Sequence, residues 1–152
     1  MKARRRALND SSPAPGFILH PSAFILVLMR VRLIWVGKTR DEHLRALAGE
    51  YLKRLRRYAK YEVAEVREGG SADERACLEE EGKRITASVA SDALTVLLDV
   101  GGHLGVSEDV RRRADVRWSL SRLTLTHEMA RVVLVEQLYR AYTILRGVPY
   151  QK

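Results

Sequence analysis

The chain has one cysteine, Cys77, so no disulfide can close within it and nothing in the sequence calls for an oxidising compartment. Cys77 sits in a charged stretch with no Cys-rich motif around it, which suits a structural or surface thiol rather than a nucleophile. No Gly/Ser-rich linker divides the 152 residues, and with 46% hydrophobic content a single domain with its own core is expected. Acidic residues are the minority among the charges: 19 Asp+Glu face 27 Lys+Arg, giving +8 and a pI near 10.0. That balance favours an anionic partner over a cationic one, with nucleic acid first among them. Basic charge explains solubility equally well, so it decides nothing alone.

Residues 1–28 read differently from the rest. Lys2, Arg4, Arg5 and Arg6 precede a Ser/Pro-rich stretch and then an apolar part that imitates a secretory signal. His20 and Pro21 interrupt that part, no small-residue cleavage site follows, and it is too short and broken to span a bilayer. With neither a helical nor a strand period, 1–28 is expected to be a mostly disordered or spurious extension, with translation starting at Met29. It holds four of the basic residues and one of the acidic, so 29–152 keeps +5.

From there the pattern alternates. Residues 31–36 form a short apolar run closed by Gly37, as in a buried strand. Thr39 and Glu42 have the spacing of a capping box, and Leu44, Leu47, Ala48, Tyr51, Leu52 and Leu55 recur at helical intervals. The other face of that helix carries Arg45, Lys53, Arg54, Arg56, Arg57 and Lys60, a solvated face that could also touch phosphates. Residues 61–66 read as a second strand, and Ser71 with Glu74 suggests a second capping box opening a helix from 73 to about 90. Residues 93–98, ending in Asp99, have the length of a buried parallel strand. The β-α-β-α-β order implies a mostly parallel sheet with helices on its faces and ligands beyond the carboxyl ends of the strands.

Gly101-Gly102-His103-Leu104-Gly105 falls at that position, and Ser107 then caps a short helix with Glu108 and Asp109 in its first turn. Those carboxylates compete with a phosphate for the helix start, so an uncharged or cationic ligand fits better there. Residues 118–125 suggest a last strand or extended loop, and Thr126 caps a long helix over 127–146 so apolar that more than one face must be covered. Gly147 and Pro149 end it.

The stretch LSRLTLTHEMARVVLVEQLYRAYTILRGVPYQK, residues 120–152, resembles the C-terminal signature of the ribosomal RNA large-subunit methyltransferase H family; Val36-Gly37-Lys38 and Leu97-Leu98-Asp99 are similar to it too. The resemblance implies an α/β fold of SPOUT type, with a mostly parallel sheet, helices on both faces and a C-terminal trefoil knot. It further implies a cytoplasmic homodimer that takes a methyl group from S-adenosylmethionine to N3 of a pseudouridine in 23S rRNA of the assembled ribosome, with no membrane or metal involved. On the matching positions the cofactor would touch Leu98, Gly101, Leu120, Ser121, Arg122, Leu123, Thr124 and Leu125. Holding donor and acceptor in line is most of what such a transfer needs. The acceptor nitrogen must also lose a proton, and His127, Arg131 and Tyr150 are the candidates for proton removal or substrate contact. The family pattern has a further helix and strand after Leu97-Leu98-Asp99, whereas here Asp99 runs straight into Val100-Gly101-Gly102, so one strand-helix crossover of roughly thirty residues is missing. A chain that kept the last helix but lost the cofactor site would instead be a basic RNA-binding or dimerisation module.

Overall fold

The computed structural model describes residues 30–99, 105–120 and 124–150. The expected extension 1–28 lies outside these residues. Among the described residues four strands alternate with four helices: β1 Arg30–Val36, α1 Glu42–Leu55, β2 Lys60–Val66, α2 Glu74–Ser88, β3 Val96–Asp99, α3 Glu108–Arg113, β4 Val116–Ser119 and α4 His127–Leu145. Both strand pairs are parallel, as the alternation predicts, but they form two two-stranded sheets, β1 with β2 and β3 with β4, rather than one. The crossover strand that the resemblance would place between β3 and β4 in sequence is absent, and among the described residues the two pairs share no strand.

The β1–β2 sheet is covered on both faces. Val31, Leu33 and Trp35 alternate onto one face, where they meet Leu44 and Ala48 of α1 and Val132 and Val135 of α4. Further along, Leu55 and Ala59 close on Tyr142. On the opposite face Arg32 Nη1 donates to the Ser88 carbonyl at 2.7 Å and Arg84 Nη1 donates to the carbonyls of Arg67 and Glu68, both at 2.9 Å, which fastens α2. Gly82 lets α2 approach α3: a Cβ there would lie 2.7 Å from Ser107 Cβ.

Both expected capping boxes are displaced by a neighbouring aspartate. Asp41, not Thr39, caps α1 by accepting from the Leu44 amide at 2.9 Å, and Asp73, not Ser71, caps α2 by accepting from Ala76 at 2.9 Å. A carboxylate at the positive helix end accepts more strongly than a hydroxyl, so the nearer aspartate prevails. Thr126 does cap α4 and Ser107 caps α3, as expected. The last two strands differ from the pattern: β3 starts at Val96 rather than 93, and β4 spans Val116–Ser119 rather than 118–125. Asp115 Oδ2 takes the Thr95 amide at 2.7 Å, so pairing starts only at Val96 opposite Val116, and β4 ends where β3 ends.

Candidate functional site

The parallel register of β3 and β4 sets Leu98 beside Trp118 and Asp99 beside Ser119. The strand ends that precede the glycine segment and the 120–125 segment in sequence therefore lie side by side at one carboxyl edge. Of the residues expected at the cofactor, Leu98, Leu120 and Leu125 are half-buried and Thr124 is exposed; Gly101, Ser121, Arg122 and Leu123 lie outside the described residues. Gly105, the last glycine of that segment, has φ +64°, a left-handed backbone that glycine adopts without strain.

α4 begins at the carboxyl end of β1, to which Glu128 and Arg131 bind it. There an open cleft of about 620 Å³ is lined by Val36, Lys38, Arg40, Thr126, His127 and Arg131, among others. His127, the first residue of α4, is exposed on its rim. Arg131 is buried, 6% exposed, with its guanidinium donating to Thr39 Oγ1 at 2.9 Å and to the Val36 carbonyl while stacking 5.3 Å from the Trp35 ring. Burial lowers its pKa from the usual arginine value, and Nε has no hydrogen-bond partner among the described residues. Arg131 thus ties the end of β1 to α4. Glu128 does not pair with it; that carboxylate accepts instead from the backbone amides of Arg40 and Asp41, which pins the β1–α1 turn to the start of α4. Arg40 in turn pairs with Glu68 at 2.8 Å.

Tyr150 lies elsewhere. Its hydroxyl donates to Glu136 Oε1 at 2.7 Å, its ring meets Tyr139 at 5.7 Å, and the Arg140 guanidinium sits 4.4 Å over it. The hydrogen bond to Glu136 is the main reason its pKa is pushed up to about 12, which makes it a donor rather than a base near neutral pH. Burial pushes the Glu136 carboxyl up, but the bonds from Tyr150 and Arg140 outweigh it and hold the carboxyl below its ordinary range. Glu136 is nine residues along α4 from His127, about 13 Å at the helical rise. One chain therefore brings His127 and Arg131 to the same cleft but not Tyr150. The sequence offered Thr39 only as a helix cap and Lys38 only within the Val36-Gly37-Lys38 match, and gave no sign of Arg40, because the partners of Arg40 and Thr39 lie on elements 28 to 92 residues away and leave no local signal. Among the described residues no group of three metal-ligating side chains occurs, and no helix is long and apolar enough to cross a membrane.

A family profile described as a predicted SPOUT methyltransferase matches residues 29–103 and 100–151. The chain is 39% identical to the ribosomal RNA large subunit methyltransferase H of Geobacter metallireducens, over 151 aligned positions that take in 80% of this chain and 98% of that protein. The protein of that name from Gloeobacter violaceus is 40% identical over 148 positions, with 80% and 98% covered, and that from Desulfitobacterium hafniense 33% identical over 160 positions, with 82% and 100% covered. Eighty per cent of 152 residues is about 122; set against 151 aligned positions, about 29 positions have no counterpart here. The two matched segments meet at 100–103, immediately after β3, where the missing crossover was expected. With the parallel α/β architecture, these matches show that the chain belongs to the SPOUT methyltransferase family and is a methyltransferase with an internal deletion after Asp99.

Proposed function

We propose that residues 29–152 form the methyltransferase domain, that residues 1–28 are an extension outside it, and that the enzyme uses S-adenosylmethionine to methylate 23S rRNA at N3 of a pseudouridine. In this reading it works as a cytoplasmic homodimer on the assembled ribosome, with its C-terminal region knotted. The observation that supports the reading is the register of β3 and β4, which sets at one edge the strand ends that lead in sequence into the two loops expected to hold the cofactor. The chemistry of that edge suits the group. Half-buried Leu98, Leu120 and Leu125 offer apolar surface to a purine and ribose, and a glycine-rich sequence suits close approach of a ligand to the backbone. Glu108 and Asp109, which open α3 just beyond the turn, favour a cationic sulfonium over an anion.

S-adenosylmethionine supplies an electrophilic methyl group on sulfur. The chain's part is to hold the acceptor base in line with it and to take up the N3 proton as the N–CH₃ bond forms. The cleft beside the loop is suited to the base. His127 on its rim is placed to accept that proton, Lys38 to stabilise the developing negative charge on the ring, and Arg131 to keep β1 and α4 in position around both. Tyr150, with its proton held, serves as a stacking or hydrogen-bonding contact.

Calorimetric titration of the full chain with S-adenosylmethionine, beside Thr124→Arg, tests the cofactor edge. Saturable binding by the parent and none by the variant is expected. Methyl transfer to purified large ribosomal subunits, with the product nucleoside located by mass spectrometry, tests the rest. A folded parent that binds no cofactor would leave the competing reading, a noncatalytic RNA-binding or dimerisation module, which the two unjoined sheets favour.

A further inference from the structure

Six cations gather at the end of the molecule opposite the cleft. Lys53, Arg56 and Arg57 occupy the last turn and cap of α1, Lys60 starts β2, Arg30 starts β1, and Arg146 follows α4. All six are exposed, and among the described residues none has an acidic partner. The other basic residues of α1 differ: Arg45 pairs with Glu42 at 3.7 Å and Arg54 with Glu50 at 3.0 Å. Tertiary structure joins the six. Arg30 and Lys60 are register partners in adjacent strands, and Arg146 lies one turn beyond Tyr142, which packs on Leu55 and Ala59 at the end of α1. Helix dipoles favour cations at the ends of α1 and α4, but they do not account for like charges side by side at the start of two strands, a pairing that costs stability. From 51 to 61, and again from 143 to 150, the chain has no acidic residue to relieve it.

We propose that this face is a second RNA-docking surface, binding backbone phosphates of the ribosomal RNA at a distance from the methylated base. The inference rests on the proposed rRNA methyltransferase reading and adds the size of the substrate. The patch is at the amino ends of β1 and β2 and the cleft at their carboxyl ends, separated by seven-residue strands, about 20 Å. A free nucleoside cannot reach both, whereas an RNA of several nucleotides or more can. Half-buried Tyr61, beside Lys60, offers an aromatic neighbour to the cations.

The test compares a patch variant, Lys53→Gln/Arg56→Gln/Arg57→Gln/Lys60→Gln, with a control of equal net charge, Arg45→Gln/Arg75→Gln/Lys83→Gln/Arg112→Gln. Affinity of the full chain for purified large ribosomal subunits is measured across salt concentrations, with thermal melts and S-adenosylmethionine binding as checks on folding and on the cofactor edge. The patch variant should bind subunits at least about tenfold more weakly near physiological salt, with a slope of log K against log salt reduced by roughly 0.7 for each phosphate no longer neutralised. Its cofactor affinity should match the parent's, and the control should bind subunits nearly as the parent does. Equal weakening in both variants, or none in the patch variant, overturns the docking surface while leaving the methyltransferase reading intact. A parent that shows no affinity for subunits overturns both. Should the patch variant melt early, Lys53→Gln/Lys60→Gln alone keeps the test, with a proportionally smaller change in slope.

Discussion

The half of the molecule built on β1 and β2 and the half built on β3 and β4 are made by the same β-α-β logic but finished differently. In the first, Leu33, Ala48, Leu55, Val132, Val135 and Tyr142 are buried between α1, α4 and the sheet. In the second, all four residues of β4 are exposed, and Leu94, Val96, Val116 and Trp118 turn apolar surface outward, Trp118 with 66% of its area. The deletion fell on the second half. Two short strands without their central neighbour cannot bury both faces, whereas seven-residue strands between helices can. The stable scaffold and the cofactor edge are therefore largely separate constructions, fastened together by the packing of α2 on α3.

Leu55→Ala should break the well-packed half most severely. It removes a side chain with no exposure, and a loss of about 3 kcal/mol in urea unfolding is expected; a loss under about 1 kcal/mol would mean that this half is loosely packed too. Gly82→Ala strikes the junction between halves, where the new Cβ would meet Ser107 at 1.9 Å from Oγ and 2.7 Å from Cβ. Overpacking of about 2 kcal/mol is expected, with weakened cofactor binding through displaced α3, measured by the same unfolding curves and by calorimetry. Tyr150→Phe should cost about 1 kcal/mol by freeing the Glu136 carboxylate of its donor.

The pH dependence of that last change sharpens the comparison. Because Glu136 is held below its ordinary range, its contribution is present above the unfolded carboxyl pKa and lost as pH falls through the folded one. Tyr150, raised to about 12, contributes below the unfolded phenol pKa and loses its contribution as pH rises towards 12. The gap between parent and Tyr150→Phe should therefore be widest near neutrality and narrow at both extremes; a constant gap would show that the hydrogen bond is not its source. The smallest effect belongs to the exposed half: Trp118→Thr should change stability by less than about 0.5 kcal/mol. A larger loss, with altered sedimentation, would show that the β3–β4 face is covered in solution.

Much of this was legible in order. The positions of β1, α1, β2, α2 and α4 follow from local periodicity, and the Thr126 and Ser107 caps from one residue each. The failures share a cause. The choice between Thr39 and Asp41, or Ser71 and Asp73, as cap is a competition settled by fractions of a helical turn, and the ends of β3 and β4 depend on which residues of the other strand are there to pair. The site divides the same way. Leu98, Leu120 and Leu125 were named from the resemblance, and the strand ends that lead into their loops share one edge, but the cleft that unites Lys38, Arg40, His127 and Arg131 joins segments nearly ninety residues apart in sequence.

By itself, then, the sequence determined the alternation of strands and helices, the basic balance, the family and the place of the lost crossover, because hydrophobic period, charge and motif spacing are local properties. Only the tertiary structure decided that the strands divide into two sheets, that Arg131 is buried against Val36 and Thr39, that Tyr150 is bound to Glu136, and that Arg30, Arg57, Lys60 and Arg146 meet on one face. Each of those depends on which distant groups packing brings within a few ångströms, where hydrogen bonds and burial act.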